Sequence, residues 1–178
     1  MNPEQLLAIC PRCPKDKAEL YAACLSEAMQ LAKIDTVTRA AAFLGQIALE
    51  TGELRWMEEL SSGEAYEGRA DLGNTHLGDG PKFKGRGAFQ LTGRYNYHAA
   101  GRALNADLET HPEYAALPEY SFKIAAWYWG TRNLNARADL YDFTGITKAI
   151  NGGLNALEKR REYYHRALEV LGQMALPW

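Results

Sequence analysis

The stretch FLGQIALETGELRWMEELSS, residues 43–62, decides how this chain folds. Within it and just upstream, small and apolar residues recur at the spacing of an α-helix with one buried face. These residues are Val37, Ala40, Ala41, Leu44, Ile47 and Ala48. Asp35 or Thr36 can cap the start of this helix, and Gly52 predicts its end. We therefore predict a buried helix that runs from this cap to Glu50.

The rest of the chain also carries helical periods, interrupted by one glycine-rich segment. Further helical segments are predicted at 16–32, at about 94–104, between Pro112 and Pro118, before Gly130, before Gly152 and at 157–171. Residues 61–87 contain seven glycines in a polar run without helical period, which indicates turns and a short hairpin. The predicted fold class is mainly α, with a glycine-rich loop or short hairpin region between helices.

Length, charge and hydropathy exclude several classes of protein. A chain of 178 residues suits one domain with a hydrophobic core. The net charge of −2 provides no field to hold nucleic acid or an anionic membrane. No apolar run approaches the roughly 20 residues of a membrane span. The N-terminus lacks the basic start and apolar middle of a signal peptide, so we expect synthesis and retention in the cytoplasm.

The cysteines and histidines give no sign of a metal centre. An odd number of cysteines without an export signal favours free thiols over a disulfide framework. The spacing of Cys10 and Cys13 resembles half of a zinc site, but no second pair of ligands follows. The remaining cysteine and the histidines lack metal-like spacing: Cys24, His76, His98, His111 and His165. We expect no metal and no cofactor.

Carboxylates surround the end of the helix that is predicted to run to Glu50. Glu50 is its last residue, and Glu53, Glu58 and Glu59 follow within a few positions. A helix C-terminus and apolar neighbours such as Leu49 disfavour a negative charge, which suits a general acid. On pattern alone, Glu58 and Glu59 are equal candidates for an ionised partner. One protonated and one ionised carboxyl group flanking a glycosidic bond is the arrangement that sugar hydrolysis needs.

Four segments in order resemble glycoside hydrolase family 19, the chitinase-like fold, and most closely its phage-type endolysin branch. They read FLGQIALETGEL (43–54), YEGRADLGNT (66–75), KFKGRGAFQLTGRYNY (82–97) and AINGGLNALEKR (149–160). The resemblance extends from about residue 16 to residue 171. It implies a lysozyme-like, two-lobed single catalytic domain over residues 1–178, without a separate wall-binding domain.

The resemblance implies catalytic roles for three residues. The family's acid lies in a His-Glu-Ser/Thr-Gly motif, which corresponds here to residues 49–52. Glu50 matches the acid, whereas Leu49 stands in place of the histidine. The implied base is Glu59, with Glu58 as the alternative. Ser61 matches the hydroxyl residue that orients the attacking water.

Further residues are implied in substrate binding. The family's polar sugar-binding residues correspond to Gln90, Thr92, Asn96 and Asn151. The arginine that holds the catalytic carboxylates corresponds to Arg160, with Arg161 as the alternative. Aromatic side chains at 127–129 can stack on sugars, although the helical spacing predicts that Trp129 belongs to the core.

The resemblance implies hydrolysis of β-1,4 bonds in an N-acetylated aminosugar polymer with inversion. In that mechanism Glu50 protonates the leaving oxygen and Glu59 activates water on the opposite face. The endolysin branch implies a monomer that cleaves bacterial peptidoglycan, with no nucleic-acid partner and no stable membrane insertion. It would wait in the host cytoplasm until a separate holin-like protein releases it to the wall. The alternatives are a chitinase and an inactive glycan-binding relative, which Leu49 favours.

Overall fold

The computed structural model describes residues 1–172, and helices dominate that part of the chain. The α-helices are α1 (Pro3–Ile9), α2 (Ala18–Leu31), α3 (Val37–Glu50), α4 (Asp79–Lys82), α5 (Arg94–Leu104), α6 (Pro118–Thr131), α7 (Leu134–Asp139), α8 (Phe143–Asn151) and α9 (Leu157–Gly172). Short 3₁₀ turns lie at Lys15–Lys17, Glu64–Tyr66, Ala70–Leu72 and Pro112–Ala116. The mainly α prediction is confirmed, while α1, α4 and α7 were not predicted from the sequence.

Helix α3 is buried at the centre of the fold, as its apolar period predicts. The Thr36 hydroxyl caps its N-terminus by accepting a hydrogen bond from the Arg39 amide at 3.2 Å. Every residue from 41 to 48 is buried. Helix α9 packs closely along α3 at Gly45, where an added Cβ would lie only 3.0 Å from the Tyr164 backbone nitrogen. This glycine therefore allows α9, which carries Arg160, to lie close to α3, which carries Glu50.

Within residues 1–172, buried apolar side chains form two clusters. The larger cluster joins α1–α3 to α6–α9. At its centre the rings of Phe43 and Trp129 make an edge contact, with 5.3 Å between the ring centroids. The smaller cluster comprises Phe83, Leu91, Tyr97, Ala100, Leu108, Ala115 and Ile124. Helix α6 contributes to both clusters, so it forms the boundary along which a groove can open.

The glycine-rich segment folds into turns rather than into an extended hairpin. The amides of Arg86 and Leu91 each donate to the carbonyl of the other residue, at 3.1 and 2.7 Å. A second antiparallel bridge pairs Arg86 with Glu58. Within residues 1–172 the predicted hairpin is thus reduced to single residue pairs. Together these pairs bring residues 58–59 next to residues 85–91.

A buried ion pair anchors the end of this segment to α5. Asp79 is 2% exposed, and it accepts hydrogen bonds from Arg94 Nε at 2.9 Å and from the His76 amide at 3.0 Å. Arg94 Nη2 donates to the second carboxylate oxygen at 2.5 Å. The hydrogen bonds from Arg94 are the largest cause that lowers the pKa of Asp79 to about 2. This pair fixes the first turn of α5, which carries Asn96.

The cysteines of the described chain, Cys10, Cys13 and Cys24, are buried free thiols. Within residues 1–172, no group of three or more His, Cys, Asp or Glu side chains is placed to hold a metal ion. None of the described helices has the length and apolar character required to cross a membrane.

Candidate active site

Glu50 lies at the C-terminal end of α3, where an arginine from α9 holds its carboxylate. Arg160 Nη2 donates to Glu50 Oε1 at 2.5 Å. The arginine side chain is 2% exposed and that of the glutamate 18%, so the pair is largely withdrawn from water. Arg161, the alternative from the sequence, instead pairs on the surface with Glu158 at 2.8 Å. The structure therefore places Arg160 beside Glu50.

A chain of buried hydrogen bonds continues from this arginine into α3 and α8. Arg160 Nη1 donates to Gln46 Oε1 at 2.6 Å, and Gln46 Nε2 donates to Thr147 Oγ1 at 2.9 Å. The Thr147 hydroxyl donates to the Phe143 carbonyl at 3.0 Å. Arg160 Nε donates to the Asn155 carbonyl at 3.0 Å. A buried guanidinium needs these acceptors, because an unpaired buried charge is strongly destabilising.

Sequence reasoning missed Gln46 and Thr147. The signal that could have found Gln46 is its position inside the apolar run FLGQIALE, where an amide must find a buried partner. Thr147 gave no comparable signal, since its position in α8 became meaningful only when α3 and α9 were packed against it. Both side chains are fully buried.

The turn after Glu50 is held by another carboxylate, Glu53. Its oxygens accept hydrogen bonds from the Arg12 amide at 2.7 Å, from Arg12 Nε at 3.0 Å and from the Tyr163 hydroxyl at 2.8 Å. Burial acts to raise the pKa of Glu53, but these hydrogen bonds outweigh it and the pKa is lowered. Glu53 also adopts a positive φ of 65°. It therefore has a structural role, since it fixes the backbone immediately beyond the candidate acid.

The two candidate bases have different partners. Glu59 accepts hydrogen bonds from the Gly85 amide at 2.6 Å and from the Tyr66 hydroxyl at 3.0 Å. Glu58, whose side chain is 43% exposed, pairs with two basic side chains instead. These are Arg86, with its Nε at 3.1 Å, and Lys84, with its Nζ at 3.2 Å. Glu59 is thus held by uncharged donors, whereas Glu58 is neutralised by cations.

Gly85 brings three of the predicted site residues together. A Cβ at this position would lie 2.8 Å from Gln90 Oε1, 3.3 Å from Glu59 Cδ and 3.3 Å from Thr92 Oγ1. Gln90, Thr92 and Glu59 therefore converge on one small region that only a glycine leaves open. Asn96 lies beside them, since its Nδ2 donates to the Thr92 carbonyl at 2.7 Å.

A groove of about 240 Å³ begins at these polar side chains. Gln90, Thr92 and Asn96 contribute to its lining together with the aromatic residues Trp127 and Tyr128 of α6. Polar groups with fixed donors and acceptors and an aromatic face are what a sugar-binding surface requires.

Glu50 lies near the same groove without lining it. Its charge acts on Tyr128, whose pKa is raised by burial first and by Glu50, against the opposing charge of Arg132. Trp129, the next residue of α6, is fully buried, which confirms the prediction that it belongs to the core.

The remaining predicted residues lie at separate positions. Ser61 is exposed two residues beyond Glu59, and its carbonyl accepts a hydrogen bond from Lys84 at 3.2 Å. Asn151 is the last residue of α8, next to Ile150 in the groove lining. Its Oδ1 is buried and has no hydrogen-bond partner among the described residues. Such an acceptor carries an uncompensated desolvation cost until a donor reaches it.

Comparison with known proteins assigns the family. The family model described as chitinase class I, of glycoside hydrolase family 19, matches residues 32–145. A Haemophilus influenzae protein with a glycosyl hydrolase family 19 domain is 39% identical over 112 residues, which cover 63% of this chain and 54% of that protein. An endochitinase of Arabidopsis thaliana is 35% identical over 140 residues, which cover 74% of this chain and 47% of that protein.

The fold agrees with the sequence comparison. The crystal structure of a bacterial family 19 chitinase superimposes with a TM-score of 0.78 at 26% identity, covering 96% of this chain and 94% of that one. This chain spans about half the length of the curated relatives it matches. The helical architecture, the carboxylate-bearing helix end and these matches lead to one assignment. The chain belongs to glycoside hydrolase family 19.

Proposed function

We propose that this chain hydrolyses β-1,4 glycosidic bonds between N-acetylated aminosugars of bacterial peptidoglycan. The observation that carries the proposal is that Glu50 and Glu59 are each immobilised by a hydrogen-bond network of their own. Glu59 converges with Gln90 and Thr92, and the charge of Glu50 acts on Tyr128. Gln90, Thr92 and Tyr128 all line one groove. Catalytic groups must be held in place before substrate arrives, because a misplacement of about 1 Å can cost about 100-fold in rate.

Glu50 is proposed as the general acid and Glu59 as the general base of an inverting reaction. Glu50 donates a proton to the leaving oxygen, and Glu59 removes a proton from the water that attacks the opposite face of the sugar. Glu59 suits the role of base better than Glu58, because the cations Arg86 and Lys84 already neutralise the latter. Ser61 is proposed to orient the water.

Substrate binding is proposed for the polar residues of the groove. Gln90, Thr92 and Asn96 supply donors and acceptors for sugar hydroxyl and N-acetyl groups. The unpartnered Oδ1 of Asn151 supports a role as acceptor for a substrate N–H or O–H. Arg160 acts by holding Glu50 rather than by binding sugar.

The proposed biological role is that of an endolysin. The resemblance of the four segments at 43–54, 66–75, 82–97 and 149–160 to the phage-type branch supports it. In this role a monomer accumulates in the host bacterial cytoplasm, and a separate holin-like protein releases it to the wall. Lysis of a host from within, dependent on co-expression of such a protein, is the expected behaviour.

Chitin is the second candidate substrate. The endochitinase of Arabidopsis thaliana and the bacterial chitinase compared above favour it, and chitin shares N-acetylglucosamine units with peptidoglycan. Loss of turbidity of a peptidoglycan suspension, measured against product release from chitin oligomers, separates the two substrates.

The test uses purified protein, isolated peptidoglycan and mass spectrometry of the released muropeptides. We expect products that have gained one water at a glycosidic bond. Glu50→Gln and Glu59→Gln should each lower turnover by at least about 10²–10⁴-fold, while the neighbouring Glu58→Gln serves as the matched control and should lose far less. Full activity in Glu50→Gln would disprove the assignment of the acid. A wild-type protein that binds glycan but never cleaves it would instead support an inactive relative.

A further inference from the structure

The groove carries a single charge at its edge. Within residues 1–172, Arg132 is the only charged residue among those that line it. The other lining residues are apolar, aromatic, or uncharged and polar, such as Gln90, Thr92 and Asn96. A neutral polysaccharide needs no cation for its recognition. Recognition of a neutral chain therefore does not explain why an arginine lines this groove.

The guanidinium of Arg132 lies over an aromatic ring of the groove. Its Cζ lies 3.4 Å from the centroid of the Tyr128 ring. The only hydrogen bond of its side chain among residues 1–172 is a weak one from Nη1 to the Thr131 hydroxyl at 3.3 Å. Stacking orients a guanidinium and leaves its N–H edge free to bind an acceptor.

No carboxylate within the described chain neutralises this arginine. The exposed Arg69 pairs with Asp71 at 2.6 Å, whereas the exposed Arg55 and Arg102 lie outside the groove lining and, like Arg132, have no ion pair among residues 1–172. For Arg132, no ion pair within 4.0 Å occurs among residues 1–172. The charge of Arg132 lowers the pKa of Tyr128, whereas the charge of Glu50 raises it. Arg132 therefore faces the groove as an oriented cation with its donors available.

The two candidate polymers differ in charge. Chitin is a neutral chain of N-acetylglucosamine. In peptidoglycan, every second sugar carries a lactyl ether whose carboxyl group is either free or joined to a short peptide with carboxylates of its own. A guanidinium binds a carboxylate through two parallel charge-assisted hydrogen bonds, whereas a neutral sugar offers acceptors without a negative charge.

We propose that Arg132 binds a carboxylate of the muramic-acid-containing strand and thereby makes the groove prefer peptidoglycan to chitin. The inference rests on the proposed glycosidase function and specifies the substrate class of the same groove. The carboxylate belongs either to the lactyl group or to the stem peptide, and substrates with and without the peptide distinguish these two sources.

The experiment measures kcat/KM of the wild type, Arg132→Gln and Arg132→Lys on three substrates. These are intact peptidoglycan, glycan strands stripped of their peptides, and a chitin hexasaccharide. Arg102→Gln is the matched control, because it removes the same charge from an exposed position on α5 that does not line the groove.

We expect Arg132→Gln to lower kcat/KM by about tenfold or more on intact peptidoglycan or on the stripped strands, whichever carries the bound carboxylate, as loss of a bidentate ion pair does. Arg132→Lys should recover only part of this loss, and Arg102→Gln should have the wild-type value. The value for the chitin hexasaccharide should change less than about twofold, since that substrate has no anion. A loss that is larger on stripped strands, where removal of the peptide frees the lactyl carboxyl, assigns the contact to that carboxyl, whereas a loss confined to intact peptidoglycan, where an amide bond occupies the lactyl carboxyl, assigns it to a carboxylate of the stem peptide.

Equal losses on peptidoglycan and chitin, or no loss on either, would overturn the inference while leaving the glycosidase function intact. A wild-type protein that cleaves the chitin hexasaccharide but neither form of peptidoglycan would also overturn it. A wild-type protein that cleaves none of the three substrates would refute the proposed function itself. Circular dichroism of each variant confirms that a lost activity does not reflect a lost fold.

Discussion

The buried ion pair between Asp79 and Arg94 predicts a specific loss of stability in acid. The folded pKa of Asp79 is about 2, against 3.8 for an unperturbed aspartate. Each unit of pKa difference corresponds to about 1.36 kcal/mol, so the charged form of Asp79 contributes about 2 kcal/mol to the free energy of unfolding at neutral pH. For a chain of this length, that contribution corresponds to roughly 4–8 °C in Tm.

The direction of the pH dependence follows from the lowered pKa. The contribution of Asp79 is fully present above the unfolded pKa and is lost as the pH falls through the folded value of about 2. Asp79→Asn should therefore be less stable than the wild type at pH 7, and this difference should shrink between about pH 4 and pH 2. Urea unfolding at a series of pH values measures both quantities.

Asp71→Asn provides the matched control. Its ion pair with Arg69 involves side chains that are 62% and 48% exposed, so water screens the interaction and the substitution should have little effect. If Asp79→Asn were as mild as Asp71→Asn at pH 7, or if its deficit were the same at every pH, the reasoning from the buried ion pair would be refuted. Asp79→Asn should also bind substrate less well, because Arg94 sets the first turn of the helix that carries Asn96.

Three further substitutions test other parts of the structure. Gly85→Ala places a Cβ 2.8 Å from Gln90 Oε1, so we expect kcat/KM to fall by more than Tm does, and unchanged kinetics would contradict the convergence described above. Gln46→Leu deprives the buried Arg160 of one acceptor; urea unfolding should show a loss of about 1.5–3 kcal/mol, and kcat should fall without a matching change in KM. Trp129→Ala empties the centre of the larger cluster and should cost about 3–5 kcal/mol by the same assay, with a smaller loss contradicting a tightly packed core.

The features that could be predicted from the sequence are those determined by neighbouring residues. The apolar period and the hydroxyl of Thr36 are sufficient to place α3. Family motifs placed Gln90, Thr92 and Glu59 in the same region, and the Gly85 environment shows that they converge. By contrast, the choice between Arg160 and its neighbour depends on packing, because successive residues of a helix point about 100° apart.

The features that could not be predicted depend on contacts between distant residues. Glu53 stood among several acids without an assigned role, and its partners Arg12 and Tyr163 lie 41 and 110 residues away in sequence. The hydrogen bond between Gln46 and Thr147 likewise joins residues that are 101 positions apart in sequence. Local propensity carries no information about such pairs, so they emerge only from the packed helices.

The bond between Glu50 and Arg160 also bears on when the site becomes complete. Its two ends are 110 positions apart, and the arginine comes from the final helix of the described chain. A chain that has not yet been translated past Arg160 lacks the arginine that holds Glu50, the proposed general acid. We therefore expect chains that terminate before Arg160 to show no cleavage of isolated glycan.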